Sequence, residues 1–273
     1  MSAFPSSMHV HTHYGDGKNS PEEMIREAIA LGFTSIGISE HAWAQHDLDV
    51  CIPKSKMESY RTEVMHLKEK YADKIEVGCG LEVDYYGNWD RSGWDYIIGS
   101  VHFVRNEETG SYYTVDFNAE ILAQGIWDIG GGSVQRFIER YAENVLQVVK
   151  LRPDIIGHID VIAKLNQKSR FFDPGAHWYK DIWEKVIPAI AKSGCVTEVN
   201  TGGMSGGYTE HPYPSPDLLR MLYREGAALT LCSDAHKKET LEYGFDECLD
   251  LLREVGYNSI KLWRGGKFVD FGI

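Results

Sequence analysis

Short apolar, β-branched runs recur along this 273-residue chain, separated by longer stretches, and nearly every run stops on a histidine or a carboxylate. They lie at residues 8–13, 33–39, 75–81, 96–101, 154–157, 195–197 and 228–232. Most are followed by apolar residues at helical spacing, so strands and helices alternate. Parallel neighbours need a crossover connection, and alternation of this kind predicts an α/β fold with a parallel sheet. In an α/β barrel the site forms at the carboxyl ends of the strands, which is where each run places its polar residue. A doubly wound open sheet shares the alternation, yet side chains from nearly every strand gather more readily at a barrel mouth than across a flat edge.

The first helix is legible in detail. Asn19 or Ser20 can cap it, Pro21 suits its first position, Glu22 and Glu23 its first turn, and Met24, Ile25, Ala28, Ile29 and Leu31 follow its spacing up to Gly32. Further helices are predicted at about 55–71, 133–150, 178–192, 216–225 and 239–255, with a closing strand near 259–263. Residues 104–132 interrupt the pattern at a length too great for a simple connection. They read as a loop covering the substrate, with one short helix at 119–124.

Composition narrows the function classes. Lys and Arg number 28 against 40 Asp and Glu, a formal charge of −12, which argues against a nucleic-acid or anionic-membrane surface. An anionic substrate then needs locally concentrated positive charge, which metal ions supply. No apolar run is long enough to span a bilayer and residues 1–7 lack the regions of a signal peptide, so a cytoplasmic location is expected. Cys51, Cys79, Cys195, Cys232 and Cys248 are scattered and mostly set in apolar segments, which reads as buried reduced thiols. The length suits one domain over residues 1–273.

Residues 8–17, Met-His-Val-His-Thr-His-Tyr-Gly-Asp-Gly, put three histidines at alternating positions. On an extended chain His9, His11 and His13 share one face, a geometry that suggests a metal. A histidine pair alone is no more than a histidine-rich terminus, because such a site takes three or four protein ligands. The added weight comes from His41, His102, His158 and His236, which fall at the ends of other runs. His46, His66, His177 and His211 fall in helices or loops and are assigned to the surface.

As a set, His9-Val10-His11-Thr12, Ile38-Ser39-Glu40-His41, Gly80-Leu81-Glu82, Ile98-Gly99-Ser100-Val101-His102, Gly157-His158-Ile159-Asp160 and Ser233-Asp234-Ala235-His236 resemble, in order, the motifs of the polymerase and histidinol phosphatase (PHP) superfamily. The resemblance covers almost the whole chain. It implies a distorted (β/α)7 TIM-like barrel carrying two or three divalent metal ions, of which Zn, Mn and Fe are candidates. Carried over by position, it implies that His9, His11, Glu82 and Asp234 hold a first ion. Glu82 would bridge to a second ion held by His102 and His158, and Asp16, His41 and His236 would take a third. His13 competes with Asp16 for that place.

Residues 99–103, 198–202 and 212–215 resemble the stand-alone L-histidinol-phosphate phosphatases within that superfamily, which implies hydrolysis of this small phosphate ester in histidine biosynthesis. Two ions sharing a hydroxide can generate a nucleophile near neutral pH, and Asp234 or His236 would protonate the leaving oxygen beside the bridging Glu82. Of the basic residues Lys164, Lys168, Arg170 and Lys237, Arg170 is the expected phosphate contact because its planar fork matches phosphate oxygens. Asn200 is a second expected substrate contact. Trp43, Tyr85, Phe103 and Tyr208 are candidates to line an imidazole pocket. Other small monoesters, nucleotides or phosphodiesters are the closest alternative substrates. A serine-hydrolase reading of Gly203-Met204-Ser205-Gly206-Gly207 is disfavoured, because the three prolines between residues 208 and 216 leave no room for the helix a nucleophile elbow requires. Sequence leaves the oligomeric state open.

Overall fold

In the computed structural model, which describes residues 4–47 and 50–273, strands and helices alternate around a sheet. The elements are β1 (Ser6–Ser7), α1 (Pro21–Ala30), β2 (Ser35–His41), α2 (Met57–Lys70), β3 (Glu76–Asp84), β4 (Tyr96–Ser100), β5 (Phe103–Arg105), β6 (Tyr112–Thr114), α3 (Ala119–Asp128), α4 (Val134–Leu151), β7 (Ile155–Ile156), α5 (His177–Ser193), β8 (Val196–Asn200), α6 (Gly202–Ser205), α7 (Pro216–Arg224), β9 (Leu229–Cys232), α8 (Phe245–Val255), β10 (Ser259–Trp263) and β11 (Phe268–Gly272). Among the described residues one seven-stranded sheet runs β1-β2-β3-β4-β7-β8-β9, every neighbouring pair parallel. A parallel bridge between Val10 and Ala235 and a hydrogen bond from the Ser233 amide to Ser7 Oγ at 3.0 Å draw its two edges together. The result is a distorted barrel of the TIM type, as expected.

Local chemistry explains the helix that was read in most detail. Ser20 caps α1 through the Glu23 amide while the Glu23 carboxylate accepts from the Ser20 amide, a reciprocal capping box, and Pro21 stands at the first position. Met24, Ile25 and Ala28 then face the core.

The barrel interior is filled from β4. The Tyr96 ring lies across it, its hydroxyl donating to the Met8 carbonyl at 2.7 Å, and space for the ring comes from Gly37 and Gly80, where a Cβ would overlap its atoms. Met8, Ile98, Ile155, Cys232 and Trp263 complete this inner cluster.

Three expectations change. The histidine strand is only Ser6–Ser7, and the chain turns after Thr12, so His13 leaves the face shared by His9 and His11. The interrupting region carries a hairpin, β5 against β6, and its helix extends to Asp128. The closing strand exists at the expected residues but pairs antiparallel with β11 instead of joining the barrel. Its turn explains why: Gly265 and Gly266 both take positive φ, the backbone of a tight hairpin, and both amides donate to the Glu76 carboxylate at 2.8 Å. All five cysteines are buried. Among the described residues no helix is long and apolar enough to cross a membrane.

Candidate metal centre

Every strand of the barrel carries a polar residue at or just past its carboxyl end, and the tight segment after β1 supplies His9 and His11. His41 ends β2, Glu82 lies near the end of β3, His102 follows β4, His158 follows β7, Glu198 lies in β8, and Asp234 and His236 follow β9. The turn after His11 is held by Glu40, whose Oε1 accepts from both the amide and the hydroxyl of Thr12, while the Lys18 amide donates to the His236 carbonyl at 2.8 Å. That loop swings Asp16 back over the barrel mouth. His236 Nε2 lies 3.2 Å from its carboxylate.

Nine predicted ligands meet here. His11, Asp16, His41 and His236 form one group, His9, His11 and Asp234 a second, His9, Glu82 and His158 a third, and His41, Glu82 and His102 a fourth; within each, one donor atom per residue lies within 4.8 Å of the others. The groups overlap, so His9, His11, His41 and Glu82 stand between neighbouring positions. Asp16 enters the cluster whereas His13 is exposed and stacks on Tyr14.

Glu82 is central to the geometry. Its Oε2 lies 3.2 Å from His9 Nε2, 3.5 Å from His11 Nε2 and 2.9 Å from His41 Nδ1, while Oε1 lies 3.3 Å from His102 Nε2 and 3.1 Å from His158 Nε2. Each oxygen therefore faces a different set of rings. Neither makes a well-angled hydrogen bond, although the side chain is fully buried. His9 and His11 also aim their Nε2 atoms at each other across 3.0 Å, as do His102 and His158 across 3.3 Å. Buried polar atoms are nearly always satisfied, and unpartnered carboxylate oxygens surrounded by convergent imidazole nitrogens fit divalent cations.

Charge balance in the cluster is strained accordingly. Burial acts against ionisation of Glu82, yet His9, His41 and His102 hold its carboxyl well below the ordinary range. Burial likewise lowers His41, His102 and His236, but Glu82 acting on the first two and Asp16 and Asp234 on the third override it and lift each to about 9. His11 is pushed down to about 4 by burial and by its neighbours His236 and His41. Asp234 adds backbone strain, a non-glycine residue at φ 50.

Glu198, absent from the predicted ligands, organises two of them and Asn200. Its Oε2 lies 2.8 Å from His9 Nδ1, and its Oε1 accepts from the His158 amide at 2.7 Å and from Asn200 Nδ2 at 2.9 Å. A carboxylate on Nδ1 fixes the ring so that Nε2 faces inward. Asn200 Nδ2 also reaches Asp234 at 3.2 Å. Fully buried, Asn200 supports the cluster and does not face the substrate cavity, contrary to expectation.

That cavity, about 660 Å³, opens beside His41, His102, His158, Asp234 and His236. Lys18, Lys164 and Lys237 line it, and Arg170 does not. Arg170 is exposed outside the mouth and lies over the neighbouring Phe171 ring, 5.1 Å from its centroid. Phe103 and Tyr208 line the cavity as anticipated, whereas Trp43 and Tyr85 do not. His46, assigned to the surface, instead lies in the wall, stacked on Tyr112 at 4.2 Å and 3.5 Å from Asp84. Asp116 was also missed; no periodicity marks it, since it lies in the interrupting region. Ser205 does sit on a short helix after a strand, but its hydroxyl donates to the Gly202 carbonyl, leaving the serine-hydrolase reading without a nucleophile–base pair among the described hydrogen bonds.

Comparison with known proteins gives a consistent picture. The PHP domain model matches residues 7–202. A Bacillus subtilis protein named histidinol-phosphatase is 25% identical over 266 residues, covering 89% of this chain and 97% of its own length. Among solved structures, a Listeria monocytogenes chain has the same fold with a TM-score of 0.79 at 22% identity, covering 89% of this chain and 99% of that one. The Lactococcus lactis histidinol phosphate phosphatase, solved with zinc, L-histidinol and phosphate, has a TM-score of 0.75 at 22% identity, covering 97% of this chain and 98% of its own.

Proposed function

The chain belongs to the PHP domain family, and we propose that it is a metal-dependent phosphomonoesterase that releases phosphate from L-histidinol phosphate. The observation that carries this reading is Glu82, a buried carboxylate whose two oxygens face two sets of histidines without hydrogen-bond partners. Relatives named histidinol-phosphatase match over nearly their whole length, which supports the choice of substrate.

His9, His11, Glu82 and Asp234 would hold one ion, Glu82, His102 and His158 a second, and Asp16, His41 and His236 a third, with zinc, manganese and iron as candidates. When bound, such ions supply Lewis acidity toward the phosphoryl oxygens and toward an attacking water. The chain's own side chains do the rest. Glu82 holds the two halves of the cluster at one spacing, and Glu198 keeps His9 in a single orientation. Lys18, Lys164 and Lys237 add positive charge to a wall that also carries Asp16, Asp47, Asp116 and Asp234. His236, which lines the cavity and is lifted to about 9, would give the proton to the departing alkoxide, whereas Asp234 is held ionised by His9, His11 and His236. Asp234 and His236 lie beyond the residues of the family match yet stand in the same cluster, so residues 1–273 are taken as one functional unit.

The deciding experiment measures phosphate release from L-histidinol phosphate beside other small monoesters and a phosphodiester, before and after chelation and with zinc, manganese or iron restored. Metal-dependent preference for histidinol phosphate is the expected result. Cleavage of the diester in preference would reassign the substrate class, and rates indifferent to chelation would overturn the metal centre.

A further inference from the structure

One ion pair in the cavity wall belongs to neither the ligand cluster nor its supporting shell. Asp116 follows β6, and Lys164 closes the 3-10 turn Val161–Ala163 after β7. Lys164 Nζ lies 3.1 Å from Asp116 Oδ2 and 5.2 Å above the centre of the Tyr208 ring, and Thr114 Oγ1 donates to Asp116 Oδ1 at 3.1 Å. The two side chains are only 16% and 26% exposed, and Thr114, Asp116, Lys164 and Tyr208 all line the cavity shared with His102, His158 and Asp234.

Both members keep their charge. Burial would raise the Asp116 carboxyl, but Lys164 and then His102 and His158 hold it below its ordinary value. Burial would lower Lys164, but Asp116 and, more remotely, Asp234 raise it. The pair therefore stands within electrostatic reach of both sides of the cluster.

When one member of a part-buried ion pair turns away, the other loses its counter-charge. If Lys164 turns to a phosphate oxygen at the cluster, Asp116 is left as a carboxylate in need of a cation. A phosphate ester whose carbinol carbon is bonded to an amine-bearing carbon supplies that cation beside the phosphate. We propose that Asp116 and Lys164 form a charge-exchange pair that selects phosphomonoesters bearing a vicinal ammonium group, Lys164 taking a phosphate oxygen and Asp116 the ammonium. The proposal rests on the phosphomonoesterase reading above and adds a reason for its selectivity: esters lacking the amine leave Asp116 unpaired and are disfavoured.

The test compares O-phosphoethanolamine with ethyl phosphate, and 3-aminopropylphosphonate with propylphosphonate, on the metal-loaded wild type, Asp116→Asn, Asp116→Glu and Lys164→Met. Rates are read as kcat/KM ratios and phosphonate affinities by calorimetry. Asp116→Asn is expected to shrink the preference for the amine-bearing member of each pair by about tenfold or more. Asp116→Glu should retain part of that preference, and Lys164→Met should weaken binding of both phosphonates. An unchanged amine preference in Asp116→Asn overturns the pairing, as does a Lys164→Met protein that binds both phosphonates as tightly as wild type. The phosphonate titrations judge the pair independently of turnover. A wild type that prefers amine-bearing esters but does not hydrolyse L-histidinol phosphate would sink the substrate reading and leave the pair standing.

Discussion

Glu82 shows how much a single side chain can require of its surroundings. Both oxygens are buried among imidazoles, so replacing the carboxylate by an amide removes a charge that faces both halves of the cluster. Glu82→Gln should lose nearly all turnover together with bound metal, measured by elemental analysis on the purified protein; full metal content at the wild-type rate would contradict the assignment. Glu198 acts through His9, and Glu198→Gln is expected to weaken metal retention by about ten- to a hundredfold in chelator competition while the fold, followed by circular dichroism, survives. Away from the site, burial pushes the Cys248 thiol up to about 12, with Glu247 adding to the shift. The unfolded thiol ionises near its ordinary value of about 9 while the folded one stays protonated, so this contribution to stability is complete below pH 9 and is lost as pH rises toward 12. Urea unfolding between pH 8 and 11 should show a shallower loss for Cys248→Ala than for wild type. At this scale His41, Glu82, His102, His158 and Asp234 were marked by their place at the ends of apolar runs, whereas Asp16, in a loop, was pointed to only by the family resemblance. Arg170 was not placed correctly: the fork argument concerns chemistry, whereas the direction of a loop side chain depends on what it packs against.

Elements were legible where local signals agreed, as in α1 with its serine cap, first-position proline and apolar stripe. They failed where pairing is a tertiary decision. The strand at residues 259–263 has the same character whether it joins the barrel or forms a hairpin, and the Glu76 carboxylate that receives the two turn amides comes from a distant strand. This hairpin closes one end of the interior: Trp263, 4% exposed, packs against Tyr96 with ring centroids 5.5 Å apart, and Phe268 backs it at 5.2 Å. Trp263→Ala should therefore cost about 3–5 kcal/mol in denaturant unfolding. A cost near zero would mean that the hairpin is an appendage and not a plug.

At the scale of the whole molecule, the cluster gathers residues from His9 to His236, so metal loading is expected to couple to folding. An ion that binds only the folded chain at a thousand times its dissociation constant stabilises it by about 4 kcal/mol. Chelation should lower Tm by several degrees and restoration of metal should return it; a Tm indifferent to chelation would uncouple the cluster from the fold. The order of apolar runs and their polar ends determined the alternation of strands and helices and the polar residues at the strand ends, because periodicity and strand-end position are properties of the chain alone, while the ligand assignment came with the family resemblance. Only the tertiary structure decided that Asp16 enters the cluster while His13 turns out, that Glu198 and Asn200 brace it, and that His46, Asp116 and Lys164 wall the cavity. Those outcomes depend on which loops fold back over the barrel mouth, and long-range packing sets that path while leaving no period in the sequence.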